Sequence, residues 1–208
     1  MSARNRQLAL LTTIVALLGA VVVQRASADS SGASATQADG SSTQISALAR
    51  YVDAGDAHTC VVLGDATLRC FGANTSGQIG SGGTVALGDS AGEMGDSLAA
   101  VNLGAGRTVR AVATGNLHTC ALLDDSSVKC FGEGDNGRLG TGATADIGRS
   151  AATMGDSLAA VNLGSGRTAT AIAAGAAHSC ALLDDSSVKC WGANDDGQLR
   201  SEEHTSEL

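Results

Sequence analysis

The segment CALLDDSSVKC occupies Cys120–Cys130 and recurs without a change at Cys180–Cys190. A looser copy, CVVLGDATLRC, lies one further period of 60 residues upstream, at Cys60–Cys70. A second block, MGDSLAAVNLG, is also present twice, at Met94–Gly104 and Met154–Gly164. Segments repeated at one fixed spacing indicate a tandem array, in which each unit is a supersecondary element that stacks on the next.

The second copy contains four short apolar runs bounded by Gly, Asp, Asn or Ser. They are Val109–Thr114, Leu117–Leu123, Ser127–Gly132 and Leu158–Leu163. Such runs are typical of strands separated by tight turns, and nothing in the repeat keeps a helical period. Four strands in a unit of this length predict one blade of a β-propeller. The chain has no proline, which fits strands whose amides are all used in a sheet.

The predicted fold class is all-β, a partial β-propeller of about 2.7 four-stranded antiparallel blades. The repeats fall at about residues 49–103, 104–163 and 164–199. We expect the first copy to lack its opening outer strand and the third to end before its last strand. Because fewer than three blades leave sheet flanks exposed, we expect the array to associate or to be completed by further blades of the same full-length chain.

The N-terminal residues do not resemble the repeats. Arg4 and Arg6 precede the apolar run Leu8–Val23, which is followed by an Ala-Ser-Ala cleavage site. Residues 1–28 are therefore predicted to be a secretory signal peptide, with a retained membrane anchor as the alternative. Residues 29–48 are rich in Ser, Ala, Thr and Gly and are predicted to be a flexible linker.

The C-terminal residues also depart from the array. Similarity stops at Arg200, where the first two copies have Gly80 and Gly140. The segment RSEEHTSEL, residues 200–208, shares nothing with the repeats. It is interpreted as a non-native or disordered tail, a natural polar tail being the alternative, and no function is assigned to it.

The net charge and the cysteine content indicate which classes of partner and which cellular compartment to expect. The formal net charge of −8 repels phosphate backbones, so nucleic acid is not an expected partner, and no membrane contact is expected after signal removal. The six cysteines fall in three equally spaced pairs. An even number in an exported chain indicates disulfides, and the predicted location is secreted or on the cell surface.

Each cysteine pair is predicted to close a hairpin. If Asp124–Ser126 form the turn, Cys120 and Cys130 lie opposite each other on neighbouring strands, within reach of a disulfide. CALLDDSSVKC is then the inner hairpin of its blade. Buried reduced thiols are the alternative. The expected disulfides are Cys60–Cys70, Cys120–Cys130 and Cys180–Cys190.

Histidines and aromatic residues recur beside the cysteines. His58, His118 and His178 each precede the first cysteine of a pair by two residues. Residues i and i+2 share one face of a strand, so a His-Cys-Cys zinc site is conceivable, but a hydrogen bond into the neighbouring blade is the preferred interpretation. An aromatic residue follows each second cysteine and is expected to anchor the core between blades, with a ligand-stacking row as the alternative. These aromatic residues are Phe71, Phe131 and Trp191.

The repeated residues resemble a known family. AGDAHTC at Ala54–Cys60, FGAN at Phe71–Asn74 and GQIG at Gly77–Gly80 are similar to the repeat of the regulator of chromosome condensation family, and CWGANDDGQL at Cys190–Leu199 is closer still. The resemblance covers roughly residues 49–199. It implies a seven-bladed β-propeller with glycines in tight inter-strand turns. The recurring glycines are Gly55, Gly115, Gly175, Gly77, Gly137 and Gly197.

The family resemblance leaves the function open, since a shared fold hosts many functions. The namesake of the family is a guanine-nucleotide exchange factor on chromatin, a role that requires a nuclear GTPase. The paired cysteines and the long insertions Ser81–Asp96 and Thr141–Asp156 resemble exported bacterial members more closely. The secreted propeller-type β-lactamase inhibitor protein of the same superfamily binds through a loop-built face, but none of its contact residues is matched here.

The preferred function is a non-catalytic, secreted scaffold that binds an unknown protein or cell-surface ligand. The insertions carry most of the differences between copies, VALGDSAGE at Val85–Glu93 against ADIGRSAAT at Ala145–Thr153. Variable loops on a repeated frame suit recognition. A regulator of nucleotide exchange and a purely structural cell-surface spacer are the alternatives.

No cofactor, metal or catalytic residue is predicted. Asp89, Glu93 and Asp96 could offer oxygen ligands to calcium, but they fit no EF-hand spacing and the cluster is lost in the next copy. A hydrolase set drawn from Asp124–Ser127 and His118 has suitable residue types, but it lacks a nucleophile elbow and recurs as turn residues. We therefore expect a solvated acidic loop and no enzyme.

Overall fold

The computed structural model describes the backbone of residues 34–36 and 42–44 and the whole of residues 49–199. β1 (Ser34–Thr36) and β2 (Ser42–Gln44) pair antiparallel inside the predicted linker, a pairing that the linker prediction did not include. The signal peptide of residues 1–28, the rest of the linker and the tail of residues 200–208 lie outside the described residues.

Each repeat forms one antiparallel sheet of three strands. The strands are β3 (Ala49–Ala54), β4 (His58–Leu63) and β5 (Leu68–Gly72), then β6 (Val109–Thr114), β7 (His118–Leu123) and β8 (Val128–Gly132), then β9 (Ala169–Ala174), β10 (His178–Leu183) and β11 (Val188–Gly192). In the described residues the helical elements are 3₁₀ turns of three residues, so none could cross a bilayer. The all-β prediction is confirmed, and the three sheets are consistent with a partial propeller.

The predicted fourth strand of each blade is not formed in the described sheets. Leu158–Leu163 touches β8 through one backbone bond, from Val161 N to Val128 O at 2.8 Å. Leu158, Val161 and Leu163 are buried, but the segment runs along the sheet edge without a ladder, so the prediction inferred strand pairing from side-chain burial alone. The first copy does have its opening strand, β3, so that expectation was also wrong.

The order of strands within the stack differs from the expectation as well. β6 lies against both β3 and β9, so the first strand of each sheet is the one nearest to the neighbouring sheets. The hairpin β7–β8, which carries CALLDDSSVKC, is therefore the outer part of its blade and not the inner part. Local sequence specifies a hairpin but does not specify its place in the stack.

The hairpin turns use aspartate and hydroxyl side chains in the same way. Ser126 N donates to Leu123 O at 3.0 Å, and Ser126 itself has a φ of 64°. Such a left-handed residue ends the common three-residue hairpin loop. Asp125 Oδ1 accepts hydrogen bonds from N and Oγ of Ser127 at 3.0 and 2.6 Å. The aspartates and serines of this segment thus serve as turn residues.

Two apolar clusters fill the spaces between consecutive sheets. Each combines the face of one sheet that points towards the following repeat, here called its back face, with the front face of the next sheet. Between the first two sheets lie Cys60, Val62, Leu68, Val112, Leu123 and Phe131. Between the second and third lie Cys120, Leu122, Val128, Leu183 and Trp191.

Each sheet contains one disulfide between its second and third strands. The bonded pairs Cys60–Cys70, Cys120–Cys130 and Cys180–Cys190 are directly opposed in register. Their Cα atoms lie 4.1, 4.1 and 4.0 Å apart. The bond therefore joins two strands that the sheet already holds side by side.

Replacing Cys120 and Cys130 together by alanine is expected to lower the free energy of unfolding by roughly 2–3 kcal/mol, because the short loop regains its freedom in the unfolded chain. Urea unfolding followed by circular dichroism measures the loss. Alkylation of the denatured, unreduced protein provides the control, with no labelled cysteine expected before reduction and six after it. Labelling before reduction would contradict the pairing.

Candidate functional site: blade contacts and insertion rim

A histidine at the start of the second strand bonds to the next sheet in both interfaces. The two series of atoms are His58 Nε2, Thr119 Oγ1 and Gln78 O, and His118 Nε2, Ser179 Oγ and Arg138 O. The histidine-to-hydroxyl distance is 2.8 Å in both. The hydroxyl-to-carbonyl distance is 2.8 Å in the first and 3.4 Å in the second. This interblade relay ties three segments of two repeats together.

The carbonyl end of the relay decides which atoms donate. A carbonyl only accepts, so the hydroxyl donates to it, and the histidine Nε2 must carry the hydrogen that it gives to the hydroxyl. Nδ1 of His58 and of His118 is buried and has no hydrogen-bond partner among the described residues. Both rings are therefore neutral, and a second proton on either would find no acceptor.

Burial fixes this protonation state. Burial first, and then the charges of Arg138, His58 and His178, lower the pKa of His118 from 6.5 to about 4. Burial also lowers the pKa of His58, with Asp53 acting in the opposite direction. A neutral ring at neutral pH suits a structural hydrogen bond.

The recurring glycines fall into two groups with different roles. A Cβ atom at Gly115 would lie 2.1 Å from Cε1 of His118, so the missing side chain leaves room for the ring. A Cβ atom would lie 2.7 Å from Cε1 of His58 at Gly55 and 2.1 Å from Cε1 of His178 at Gly175. These three glycines also lie in the turn between the first and second strands, where Gly115 N donates to His118 O at 2.8 Å. The remaining three have positive φ values, as tight turns require: 83° at Gly77, 70° at Gly137 and 78° at Gly197.

The aromatic residues pack against a glycine of the preceding repeat. A Cβ atom at Gly80 would lie 2.8 Å from Phe131 Cε2, and one at Gly140 would lie 2.8 Å from Trp191 Nε1. Phe131 is fully buried and Trp191 is 8% exposed. Phe71, at the same position of the first sheet, is half-buried. Phe131 and Trp191 thus fill the space between blades.

The insertions Ser81–Asp96 and Thr141–Asp156, here called the insertion rim, follow the outer edges of the first two sheets. Gly72 and Leu87 exchange two backbone hydrogen bonds of 2.7 and 3.1 Å at one end of β5. Val101 N donates to the other end of β5 at 2.8 Å. The rim and the residues that follow it therefore cover a strand edge that would otherwise offer free amides and carbonyls.

Cations on the third strand of each sheet hold these segments, and the sequence analysis did not identify them. Arg69 donates to the carbonyl of Gly95 at 3.2 Å, and Lys129 donates to the carbonyl of Gly155 at 3.0 Å. Lys189 occupies the same position in the third sheet. The available signal was a basic residue directly before the second cysteine of every pair.

The second rim segment also contacts the first repeat, at residues that follow the first rim segment. Gly155 N donates to Asn102 O at 3.0 Å, and Ala105 N donates to Asp156 Oδ1 at 2.9 Å. Between them lies a shallow cleft of about 130 Å³ whose walls come from both repeats. Its apolar lining includes Ile79, Leu87, Val101, Ala151 and Met154.

The metal-binding alternatives find no support in the geometry. Glu93 Oε2 accepts hydrogen bonds from the amides of Gly88 and Ser90 at 2.8 and 3.1 Å, so this carboxylate closes its own loop. Within residues 49–199, no group of three His, Cys, Asp or Glu side chains is placed to hold a metal ion. The His118 zinc site is excluded because Cys120 and Cys130 are bonded to each other.

The hydrolase set is not assembled either. His118 begins β7, whereas the turn residues Asp124–Ser127 follow the other end of that strand. His118 is committed to Ser179, and Asp125 is committed to Ser127 and to Arg107 Nη1 at 2.6 Å. The repeat architecture separates the residue types that such a mechanism needs in contact.

Comparison with known families gives these repeats a name. Residues 50–78, 109–138 and 169–198 match the regulator of chromosome condensation (RCC1) repeat. The chain belongs to the RCC1 repeat family. Each matched segment begins in or beside the first strand of a sheet and ends at the loop after the third strand, so one RCC1 repeat corresponds to one sheet with its interblade relay.

Relatives of known description share the repeat over a small part of their length. The chain is 30% identical to the X-linked retinitis pigmentosa GTPase regulator of Mus musculus over 150 residues, which is 72% of this chain and 13% of that protein. It is 32% identical to the E3 ubiquitin-protein ligase HERC2 of Homo sapiens over 145 residues, 70% of this chain and 3% of that protein.

Solved structures support the same fold. Yeast RCC1 (Prp20) bound to Kap60 superimposes with a TM-score of 0.52 at 19% identity, over 70% of this chain and 32% of the yeast protein. Prp20p from Saccharomyces cerevisiae gives 0.51 at 20% identity, over 69% and 33%. The three sheets therefore correspond to about a third of an RCC1 propeller.

Proposed function

We propose that this RCC1-repeat chain is a non-catalytic, exported scaffold whose insertion rim binds a protein or cell-surface ligand. The observation that supports the proposal most is the contrast between the repeated strand segments, here called the frame, and the insertion rim. CALLDDSSVKC is identical in two copies, while Val85–Glu93 and Ala145–Thr153 share few residues. The frame fixes both ends of the rim, so different side chains are presented from the same backbone positions.

Exposure and charge of the rim support a recognition role. Val85 is 73% exposed at the start of the first variable segment. The first segment carries the acids Asp89 and Glu93, whereas the second carries Arg149, which pairs with Asp146 at 3.4 Å. Surface loops that vary on a rigid frame are where repeat proteins bind their partners.

Relatives favour a protein as the ligand. The descriptions of the similar chains name a GTPase regulator and a ubiquitin ligase, and Prp20p is described by its binding to Gsp1p and histones. The disulfide in every sheet supports an oxidising, extracellular setting for this chain. We therefore propose an extracellular protein partner first.

An exchange of the variable segments tests the proposal. Residues 85–93 are replaced by ADIGRSAAT, the sequence of residues 145–153. The fold should tolerate the exchange, because Thr153 Oγ1 accepts the amide of Gly148 at 3.1 Å just as Glu93 accepts that of Gly88 at 2.8 Å. Unchanged circular dichroism and melting temperature serve as the control.

The measurement is saturable binding of partners enriched from the cell surface and secreted fraction of the source organism. We expect the exchanged variant to lose affinity for a true partner by tenfold or more, about 1.4 kcal/mol. Equal binding by both proteins would place recognition elsewhere on the chain. Absence of any saturable partner would favour the structural spacer.

Regulation of nucleotide exchange is the second candidate, favoured by the GTPase regulator among the relatives. Its assay is the release of a fluorescent guanine nucleotide from a purified GTPase with and without the chain. Acceleration by tenfold or more would favour this role. A release rate equal to the spontaneous one would leave the binding scaffold as the proposed function.

A further inference from the structure

The disulfides of the first two sheets lie inside the interfaces between sheets. Cys60 and Cys70 are 0% and 2% exposed, and Cys120 and Cys130 are both fully buried. The first pair belongs to the apolar cluster between the first and second sheets, and the second pair to the cluster between the second and third. Each of these bonds is therefore packed against the sheet that follows it.

The third disulfide shows how much of this burial a single sheet provides. Cys180–Cys190 and Cys120–Cys130 lie in identical copies of CALLDDSSVKC and have the same strand register. No sheet follows Cys180–Cys190 among the described residues, and both of its cysteines are half-buried. A sheet alone thus leaves its disulfide partly open to solvent, and the next sheet closes it.

A hydroxyl group of the following sheet lies against the first sulfur of each covered bond. Thr119 Oγ1 is 3.8 Å from Cys60 Sγ, and Ser179 Oγ is 3.5 Å from Cys120 Sγ. Both hydroxyl groups belong to the interblade relay, and their residues are 0% and 1% exposed. The side chains that join the blades therefore also occupy the approach to the sulfur atoms.

Disulfide formation requires that approach to be open. One thiolate of the pair attacks the disulfide of an oxidant and forms a mixed disulfide, and the second thiolate then displaces the oxidant to give the S–S bond of the protein. The two cysteines lose two protons and two electrons in total, and the disulfide of the oxidant becomes two thiols. In the docked array the next sheet occupies the place of the oxidant in this intermediate.

We infer that Cys60–Cys70 and Cys120–Cys130 form by thiol–disulfide exchange before the following sheet docks, and that docking then seals them against reductants. The step requires a disulfide oxidant that acts on an open hairpin. The hairpin is sufficient as its substrate, because the two cysteines of each pair are directly opposed on adjacent strands of one repeat. Oxidation and docking thus follow each other in a fixed order at each interface.

Reduction of the native full chain by dithiothreitol, without denaturant, tests the seal. Free thiols are alkylated at intervals, and each pair is quantified by mass spectrometry of tryptic peptides. The copies are distinguishable, since HTC at His118–Cys120 corresponds to HSC at His178–Cys180. We expect Cys180–Cys190 to be reduced about tenfold faster or more than the covered pairs, which must wait for local opening. Equal rates for the three pairs would overturn the inference.

Two variants of the relay hydroxyl groups serve as each other's control. Thr119→Ala removes the group beside Cys60 and should accelerate reduction of Cys60–Cys70 roughly tenfold, because a buried hydrogen bond of the interface is lost. The reduction of Cys120–Cys130 should keep its rate in this variant. Ser179→Ala should give the reverse pattern. If either variant accelerated both covered pairs equally, the bonds would be opening by unfolding of the whole array, which contradicts a seal at each interface.

The order of oxidation and docking is tested by refolding. The denatured, reduced full chain is diluted either directly into oxidised glutathione or first into dithiothreitol, with oxidised glutathione in excess added later. Trp191 fluorescence follows docking, since Trp191 packs in the second interface. If the reduced chain docks, its covered pairs should be oxidised about tenfold more slowly than Cys180–Cys190. A reduced chain that does not dock also agrees with oxidation as the earlier step. Covered pairs that are oxidised after docking as fast as Cys180–Cys190 would overturn the inference.

Discussion

Replacing Phe131 by alanine is expected to lower the free energy of unfolding by about 3–5 kcal/mol. The ring is fully buried between the first two sheets, where it lies beside Gly80, Val101 and Met154. Gly80 has no side chain that could fill the space, and the adjacent disulfide of Cys130 holds β8 in place. The cavity should therefore persist, which adds to the lost transfer energy. Urea unfolding followed by circular dichroism measures the difference.

Phe71→Ala is the matched control, since Phe71 has the same residue type at the same position of the repeat. Phe71 is half-buried, so its truncation is expected to cost about 1 kcal/mol. The gap between the two variants measures what a preceding blade contributes. Equal losses would mean that the aromatic ring acts within its own sheet and does not anchor neighbouring blades.

The period and the cysteines made much of the frame predictable. Between the two cysteines of each pair, turn residues such as Asp-Asp-Ser-Ser separate two apolar runs. This pattern predicts two short strands joined by a tight turn, which is a hairpin. The structure places Cys120 and Cys130 opposite each other in register. Local turn and strand propensity, together with the short distance that a disulfide can span, were therefore sufficient to predict the hairpin. Because the segment is repeated, the same prediction applied to all three sheets.

The fourth strand could not be predicted in the same way. Apolar alternation reports which side chains are buried and says nothing about which backbone groups pair. In Leu158–Leu163 the side chains of Leu158, Val161 and Leu163 enter the core, while the backbone makes a single bond to β8. The insertion covers the edge of β8 and is held there by Lys129. These are contacts between distant parts of the chain, which no local sequence pattern contains.

Of the two side chains in the interblade relay, only one was identified from the sequence. The histidine was identified from its recurrence, but its acceptor was not, although Thr59, Thr119 and Ser179 give every copy a hydroxyl directly after the histidine. Side chains of adjacent residues in a strand point to opposite faces. A histidine on the back face and a hydroxyl on the front face are therefore the two halves of one bond between successive blades. The expected hydrogen bond from the histidine into the neighbouring blade is therefore present, and only its partner in that blade was not named in advance.

The stability of the array is expected to fall with pH between about 6.5 and 4, by up to roughly 3 kcal/mol from His118 alone. In the unfolded chain His118 takes up a proton near its ordinary pKa of 6.5, whereas in the fold its pKa is lowered to about 4. Within that window the unfolded state binds more protons, so acid favours unfolding, and above it the contribution is complete. Burial shifts His58 in the same direction, with Asp53 opposing.

Urea unfolding at several pH values, followed by the fluorescence of the single tryptophan, Trp191, measures this slope. His118→Gln keeps an N–H that can reach Ser179 but cannot take up a proton, so its slope should be flatter. His178→Gln makes the same substitution at the same repeat position of the third sheet and is the control for the substitution itself. Asp125 has its pKa lowered by hydrogen bonds from Ser127, so its loss falls mainly below this window. An identical slope in wild type and His118→Gln would mean that the buried relay does not sense acid.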